Sequence, residues 1–222
     1  NVYTTMEESF DAAAARSSDS QGGAAMRKVW DQFATELRRK EALREDLALL
    51  GIEAEDKVAT APSEATQAYL AQIKKALDAD ADLLLGHFYT RYFADLFGGS
   101  MQGFPTRLAL GLGQDLRFYT FPPAVEADKR AYIERIYAAI NEASEGMERE
   151  KKRAIVDVAR DAFRRNADVY TERPYLVPAA GVGAVRCGLG LVYGTAAMQG
   201  DMREWCTKMG VIKPKSTAVP AA

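Results

Sequence analysis

Along most of this chain, apolar residues recur at intervals of three and four and nowhere alternate convincingly, which confines the fold to packed helices and the class to all-α. The first stripe covers residues 2–15, with Met6, Phe10 and Ala13 or Ala14 on one face. The run Ser17-Ser18-Asp19-Ser20-Gln21-Gly22-Gly23 then breaks it. From Ala24 to Leu50, residues Val29, Trp30, Phe33, Leu37, Leu43, Leu47 and Leu50 predict one amphipathic helix, stopped by Gly51. Ser63, after Pro62, is the expected N-cap of a helix that buries Tyr69, Ile73, Ala76 and Leu77. Long helices are predicted from about Asp80 to Met101, Ala124 to Met147 and Glu148 to Thr171. In the last of these Ile155, Val158, Ala159, Ala162, Phe163, Val169 and Tyr170 should face inward. The expected core joins Phe88, Tyr92, Phe93, Leu96, Ile136 and Ile140 to that stripe.

At 222 residues the chain is long enough for one helical domain, expected over residues 1–172, and an extension over 173–222. Its 29 Lys and Arg against 31 Asp and Glu leave a net charge of -2, which gives no field to steer it onto nucleic acid. Cys187 and Cys206 form no C-x-x-C pair and His87 is the sole histidine, which excludes a protein-built zinc or iron–sulfur site. The sequence opens at Asn1 with no basic-then-apolar leader, so a targeting segment is expected to have been removed or to lie outside it. Two motifs fail on their spacing. Asp78, Asp80 and Asp82 imitate the start of a calcium loop, but Leu83 stands where glycine is required and Tyr89 where a bidentate Glu is required. They read instead as the acidic start of the next helix. Gly111-Leu112-Gly113 follows a helix and lacks a third glycine, so it is a turn.

The most informative segment is GHFYTRYFADLFGGSMQG, residues 86–103. Adjacent glycines inside an apolar helix are each unfavourable by about 1 kcal/mol relative to Ala, so Gly98-Gly99 marks a kink, tight helix packing or the close approach of a flat group. Asp95 and Arg91 sit at i, i+4, the spacing of an ion pair. This segment resembles the distal helix of heme oxygenases, in forms H-x-Y-T-R-Y-x-G-D-L-S-G-G and, closer to the plastid members, H-F-Y-x-x-Y-F-A-x-x-x-G-G-x-M-x-G. The likeness extends to SEATQAYLAQIKKA before it and FYTFP at Phe118–Pro122 after it, and covers about Met26 to Glu172. The resemblance implies a cleft for heme against Ala94, Gly98 and Gly99. Asp95 would be the distal carboxylate that organises water for proton delivery, with Tyr89 and Arg91 in the same polar network.

The resemblance also implies what this sequence lacks. The family's axial histidine lies on a helix preceding the segment that residues 1–10 match, and His87 aligns with a distal-helix histidine that is not the ligand. His87 precedes Ala94 by seven residues, about 10 Å along a helix, and is expected to be a hydrogen-bonded or surface residue. Phe97 replaces a serine beside the glycines, and the propionate-anchoring basic pair maps to Ala131 and Arg135, leaving Arg135 alone. No cofactor is therefore expected, and heme only if an upstream segment carries an axial histidine.

Residues 176–198 read LVPAAGVGAVRCGLGLVYGTAAM, with Arg186 the only charge, long enough for a membrane-spanning helix. Small residues at Ala180, Ala184 and Gly188, then Gly190 and Gly194, form a ladder through which, with Arg186, such a helix would contact another protein. A glycine-rich tail packed on the core is the alternative. The leading expectation is a non-catalytic heme oxygenase-like protein of the chloroplast. It would be held on the stromal side of the thylakoid membrane and bind a membrane-protein complex such as a photosystem, for assembly, repair or regulation. The alternatives are an active ferredoxin-dependent heme oxygenase, converting heme to biliverdin, carbon monoxide and iron, and a tetrapyrrole carrier.

Overall fold

A computed structural model describes residues 1–16, 22–53, 61–172 and 176–208, which are mainly helical with no strand among them. The elements are α1 (Val2–Ala14), α2 (Ala24–Leu37), α3 (Lys40–Leu49), α4 (Glu64–Ala79), α5 (Leu84–Ala94), α6 (Ser100–Leu110), α7 (Pro123–Glu126), α8 (Lys129–Ala143), α9 (Arg149–Thr171), α10 (Leu176–Tyr193) and α11 (Ala196–Lys208). A π-turn, Asp95–Gly99, joins α5 to α6.

The central element is α5. Leu84, Leu85, Gly86, His87, Phe88, Thr90, Tyr92 and Phe93 are all buried, so helices surround it on nearly every side. Its longest partner is α9, which crosses it at Gly86, where a Cβ would meet the Ile155 carbonyl oxygen at 2.7 Å and the Ala159 nitrogen at 2.8 Å. Trp30, Phe10, Phe88 and Tyr92 pack ring to ring behind it, with centroids 5.0–6.3 Å apart.

Buried carboxylates fix the corners. Asp82 accepts from the Ala25 and Met26 amides at 2.9 and 3.1 Å, capping α2, and pairs with Lys151 at 2.6 Å. Glu7 accepts from the Arg39 and Lys40 amides at 2.6 and 3.1 Å at the start of α3. That contact explains why the single helix expected over residues 24–50 is two, parted at Arg38-Arg39, where Arg38 turns extended (φ -54, ψ 131). Ser63 caps α4 as expected, accepting from the Thr66 amide at 3.3 Å. Gly111 ends α6 in the left-handed region at φ 69. The helix expected from Asp80 to Met101 also breaks, into a 3-10 turn, α5, the π-turn and α6, and it runs on to Leu110. The one expected from Ala124 to Met147 is parted into α7 and α8.

Three expectations need correction. Phe163 and Tyr170 are not core: they are 63% and 57% exposed, because they project to the side of the Ile155, Val158, Ala162 and Val169 seam. Residues 176–198 do not form one helix. It ends at Tyr193, breaks at Gly194-Thr195 and restarts as α11, which folds back so that Gly190 and Gly194 both face Met198. Among the described residues no helix is long and apolar enough to cross a membrane. Finally, the Arg186 guanidinium is met within the chain, donating to the Ala109 carbonyl oxygen on α6, beside Gly183 packed on Ala109. Of the ladder's three glycines, Gly188 alone faces open space.

Candidate functional site: a polar relay beneath an open aromatic gap

Arg91, Ala94 and Gly98 follow one another at three- and four-residue spacing and so share a face of the α5 segment. At its near end Arg91 Nη1 donates to Asn166 Oδ1 of α9. Phe163 and Tyr170 lie three residues before and four after Asn166, on the same side of α9. Ala94 is exposed, and a Cβ on Gly98 would meet nothing within 4 Å. An open gap therefore lies over Ala94 and Gly98, and Phe163 and Tyr170 stand exposed on the face of α9 that carries Asn166. Gly99 makes only ordinary contacts to Asp95, so of the readings offered for the glycine pair, tight helix packing falls to Gly86 instead. The π-turn at Asp95–Gly99 widens the backbone where the gap lies. On the opposite face of α5, about 160–200° around from Arg91, a second row of rings, Tyr89, Phe93 and Phe97, stacks at 4.9 and 6.0 Å between centroids, with Tyr137 of α8 4.7 Å from Phe93.

Under this gap runs a directed chain of hydrogen bonds. Arg91 Nη2 donates to the Tyr3 hydroxyl at 3.0 Å, and the Tyr3 hydroxyl donates to Asp95 Oδ2 at 2.5 Å. Arg91 and Asp95 thus meet through Tyr3 rather than as the direct ion pair their spacing allows. Burial raises the Asp95 carboxyl above its ordinary value against the pull of Arg91 and Tyr3. Burial raises the Tyr3 hydroxyl well above the usual phenol range too, with Asp95 adding to it. Burial works against the Arg91 charge, but Tyr3 and Asp95 outweigh it and leave the guanidinium above its ordinary value. The result is a buried carboxyl with a raised proton affinity, held 2.5 Å from a hydroxyl that can give or take a proton. A second buried carboxylate, Glu7, accepts from the Tyr92 hydroxyl at 3.3 Å.

The remaining site residues are placed as follows. Tyr89 borders the aromatic row, 44% exposed. Arg135 is not brought to the gap: its guanidinium lies over the Tyr132 and Phe33 rings at 5.0 and 5.9 Å, about 200° around α8 from Tyr137. His87 is neither exposed nor hydrogen-bonded. It is completely buried, both ring nitrogens lack a partner, and burial pushes its pKa down to about 4. An imidazole sealed in this way does not face the gap. Tyr3 and Asn166 were missed from the sequence, where only their polar atoms on apolar faces marked them.

The sequence and the fold are similar to those of known proteins. The family model for heme oxygenase matches residues 2–172. Heme oxygenase 2 of Rattus norvegicus is 33% identical over 175 residues, covering 77% of this chain and 51% of the rat protein. The heme oxygenase of Rhodella violacea is 33% identical over 140 residues, covering 62% of this chain and 57% of its own length. The chain thus spans about half the length of the curated relatives it matches. Heme oxygenase-2 of Synechocystis, solved in complex with heme and NO, shares the fold at a TM-score of 0.60 and 21% identity, covering 91% of this chain and 76% of the solved one.

Proposed function

The chain belongs to the heme oxygenase family, and on that footing we propose that it supplies the distal wall of a heme-oxygenating site. Heme lies in the gap over Ala94 and Gly98, and Asp95 with Tyr3 holds the proton that the reaction consumes. The observation that carries this reading is the Arg91–Tyr3–Asp95 relay on the segment whose Ala94 and Gly98 stand open. Bound heme would supply the iron at which oxygen is reduced. Exposed Phe163 and Tyr170 offer apolar faces to a flat macrocycle, and Gly98 leaves room for it. One part of such a site does not fit these residues. His87 is sealed in the core, so an axial imidazole has to come from outside residues 1–222 or from solution.

Hemin titrated into residues 1–222, with and without millimolar imidazole, tests this. The expected result is saturable binding with a sharp imidazole-ligated Soret band only when imidazole is present, lost in Gly98→Leu. That variant folds normally, because nothing lies within 4 Å of the new Cβ. Absence of hemin binding in both conditions, or binding indifferent to Gly98→Leu, overturns it.

A second reading is a non-catalytic member that docks on a thylakoid membrane-protein complex. It draws on the sealed His87 and on the outward face of α10, where Val182, Val185, Leu189 and Val192 are 53–66% exposed. Membranes prepared with Leu189→Glu would then lose the protein from the complex on native gels. Unchanged migration removes this reading.

A further inference from the structure

Helix α6 carries two backbone carbonyls that the helix itself does not satisfy. Pro105 lies inside it and has no N–H, so the Met101 carbonyl, four residues earlier, has no helical donor. Ala109 lies in the last turn, where the Gly111 and Leu112 amides return to the Leu108 and Arg107 carbonyls and pass Ala109 by. Both carbonyls are met from the C-terminal pair. Trp205 Nε1 of α11 donates to the Met101 oxygen at 2.8 Å, and the Arg186 guanidinium of α10 donates to the Ala109 oxygen.

The side chains of α6 point to the same dependence. Phe104 alone among its described side chains is buried, and the Trp205 ring lies 6.2 Å from it between centroids. The Arg107 guanidinium lies over Phe104 at 4.9 Å and pairs with Asp201 of α11 at 2.8 Å. A further close approach is at Gly103, where a Cβ would stand 3.1 Å from the Tyr119 Cβ. A helix of 11 residues with an internal proline does not hold its shape without such packing. Met101 stands two residues beyond Gly99, so the first turn of α6 continues directly from the π-turn that carries Asp95 and Gly98.

We propose that the α10–α11 pair is a clamp on α6: Trp205 supplies the donor that Pro105 removes, and docking of the pair sets the geometry of the π-turn and of the gap over Ala94 and Gly98. Docking and gap geometry are then coupled, and by linkage a ligand that favours one arrangement of the gap favours the matching state of the pair. Control of heme access by this clamp rests on the function proposed above, but the clamp itself does not.

The test is made on the full ligand-free chain by residue-resolved amide exchange, followed by NMR. Trp205→Phe keeps a ring against Phe104 and removes the N–H. It is expected to speed exchange in residues 102–110 on the order of fivefold, the worth of one net hydrogen bond, and to speed Leu96–Gly99 less, with α8 and α9 unchanged. Pro105→Ala returns a helical donor to the Met101 carbonyl. On that background Trp205→Phe should change α6 exchange by less than about twofold, because the two changes act on one carbonyl. Exchange in α6 unaltered by Trp205→Phe, or speeded equally with and without Pro105→Ala, overturns the clamp. Faster α6 exchange with Leu96–Gly99 unmoved overturns its reach to the gap. Failure to bind hemin counts against the function proposed above and leaves these measurements standing.

Discussion

The α1–α9 body and the α10–α11 pair are both helical, yet they are held together by different means. In the body, carboxylates reach across long stretches of chain to satisfy helix starts: Glu7 serves α3, Asp82 serves α2, and Asp46 accepts from the Arg117 and Phe118 amides at 2.6 and 2.8 Å. The C-terminal pair rests on α6 through Gly183 against Ala109, the Arg186 bond, a Trp205 Nε1 bond to the Met101 carbonyl at 2.8 Å, and an Arg107–Asp201 pair at 2.8 Å. Buried charge-assisted bonds tolerate one geometry, so they specify an arrangement. Small residues permit close approach without selecting a partner.

The largest effect should follow from attacking the body at its crossing point. Gly86→Val places side-chain carbon where the backbone of Ile155 and Ala159 already stands at 2.7–2.8 Å, and a backbone cannot rotate aside. Destabilisation by about 3 kcal/mol is expected, read from urea denaturation. The matched change in the C-terminal pair, Gly188→Val, meets open space and should leave the midpoint in place. Equal effects would dissolve the comparison.

Next come the carboxylates, whose pH dependences should have opposite signs. Burial opposes the Asp82 charge, but Lys151 and the two α2 amides outweigh it and hold its pKa below the ordinary value. The folded chain then binds that proton less readily than the unfolded chain, so this stabilisation is present above the unfolded pKa and is lost as pH falls through the folded one. Burial raises Glu7 against its amide and Arg38 partners. Its folded state holds the proton more tightly, so its contribution is full below the unfolded pKa and is lost as pH rises through the raised value. Asp82→Asn should lower stability by about 2 kcal/mol at neutral pH and flatten the acid side of the profile. Glu7→Gln should flatten the stability loss above the ordinary carboxylate range. Denaturation midpoints from pH 3 to 7, a range set on the order of the reference carboxylate values, read both.

How much of this was legible follows the same division. Most of the helical stripes, the Ser63 cap, the stop at Gly51 and the turn at Gly111 are local, and they stand where their residues predict. The 86–103 segment placed Asp95 and Arg91 in one network. The break at Arg38-Arg39 was invisible, since two arginines suit a helix and the cause is Glu7, more than thirty residues earlier. Tyr3 and Asp95 stand 92 residues apart, with nothing in the local pattern to join them. His87 misled because a polar residue on a buried face is ordinarily partnered, and Phe163 because an aromatic at helical spacing is ordinarily core. The glycine-rich C-terminal stretch fitted two environments from composition alone. What decided the structure was Gly194 ending α10 and letting α11 return onto it.

The smallest effect is expected from Arg186→Leu. Arg186 is the sole charge between Leu176 and Gly200, and among the described residues its bond is to the Ala109 carbonyl oxygen. Removing it frees a carbonyl near the end of α6, which water can reach because the residues around it are exposed or half-buried. No buried charge is stranded, so the body should lose less than about 0.5 kcal/mol. The pair itself is another matter. With one of its few directional contacts gone, α10 should lift from α6 more often, and limited proteolysis should cut between residues 172 and 196 faster while the fragment ending near residue 172 persists. Denaturation and proteolysis then separate the two regions directly. A shift of the whole denaturation curve by 1 kcal/mol or more, well beyond an ordinary surface substitution, would mean that α10 and α11 fold as one unit with the body, and that the contrast between the regions is one of composition rather than of stability.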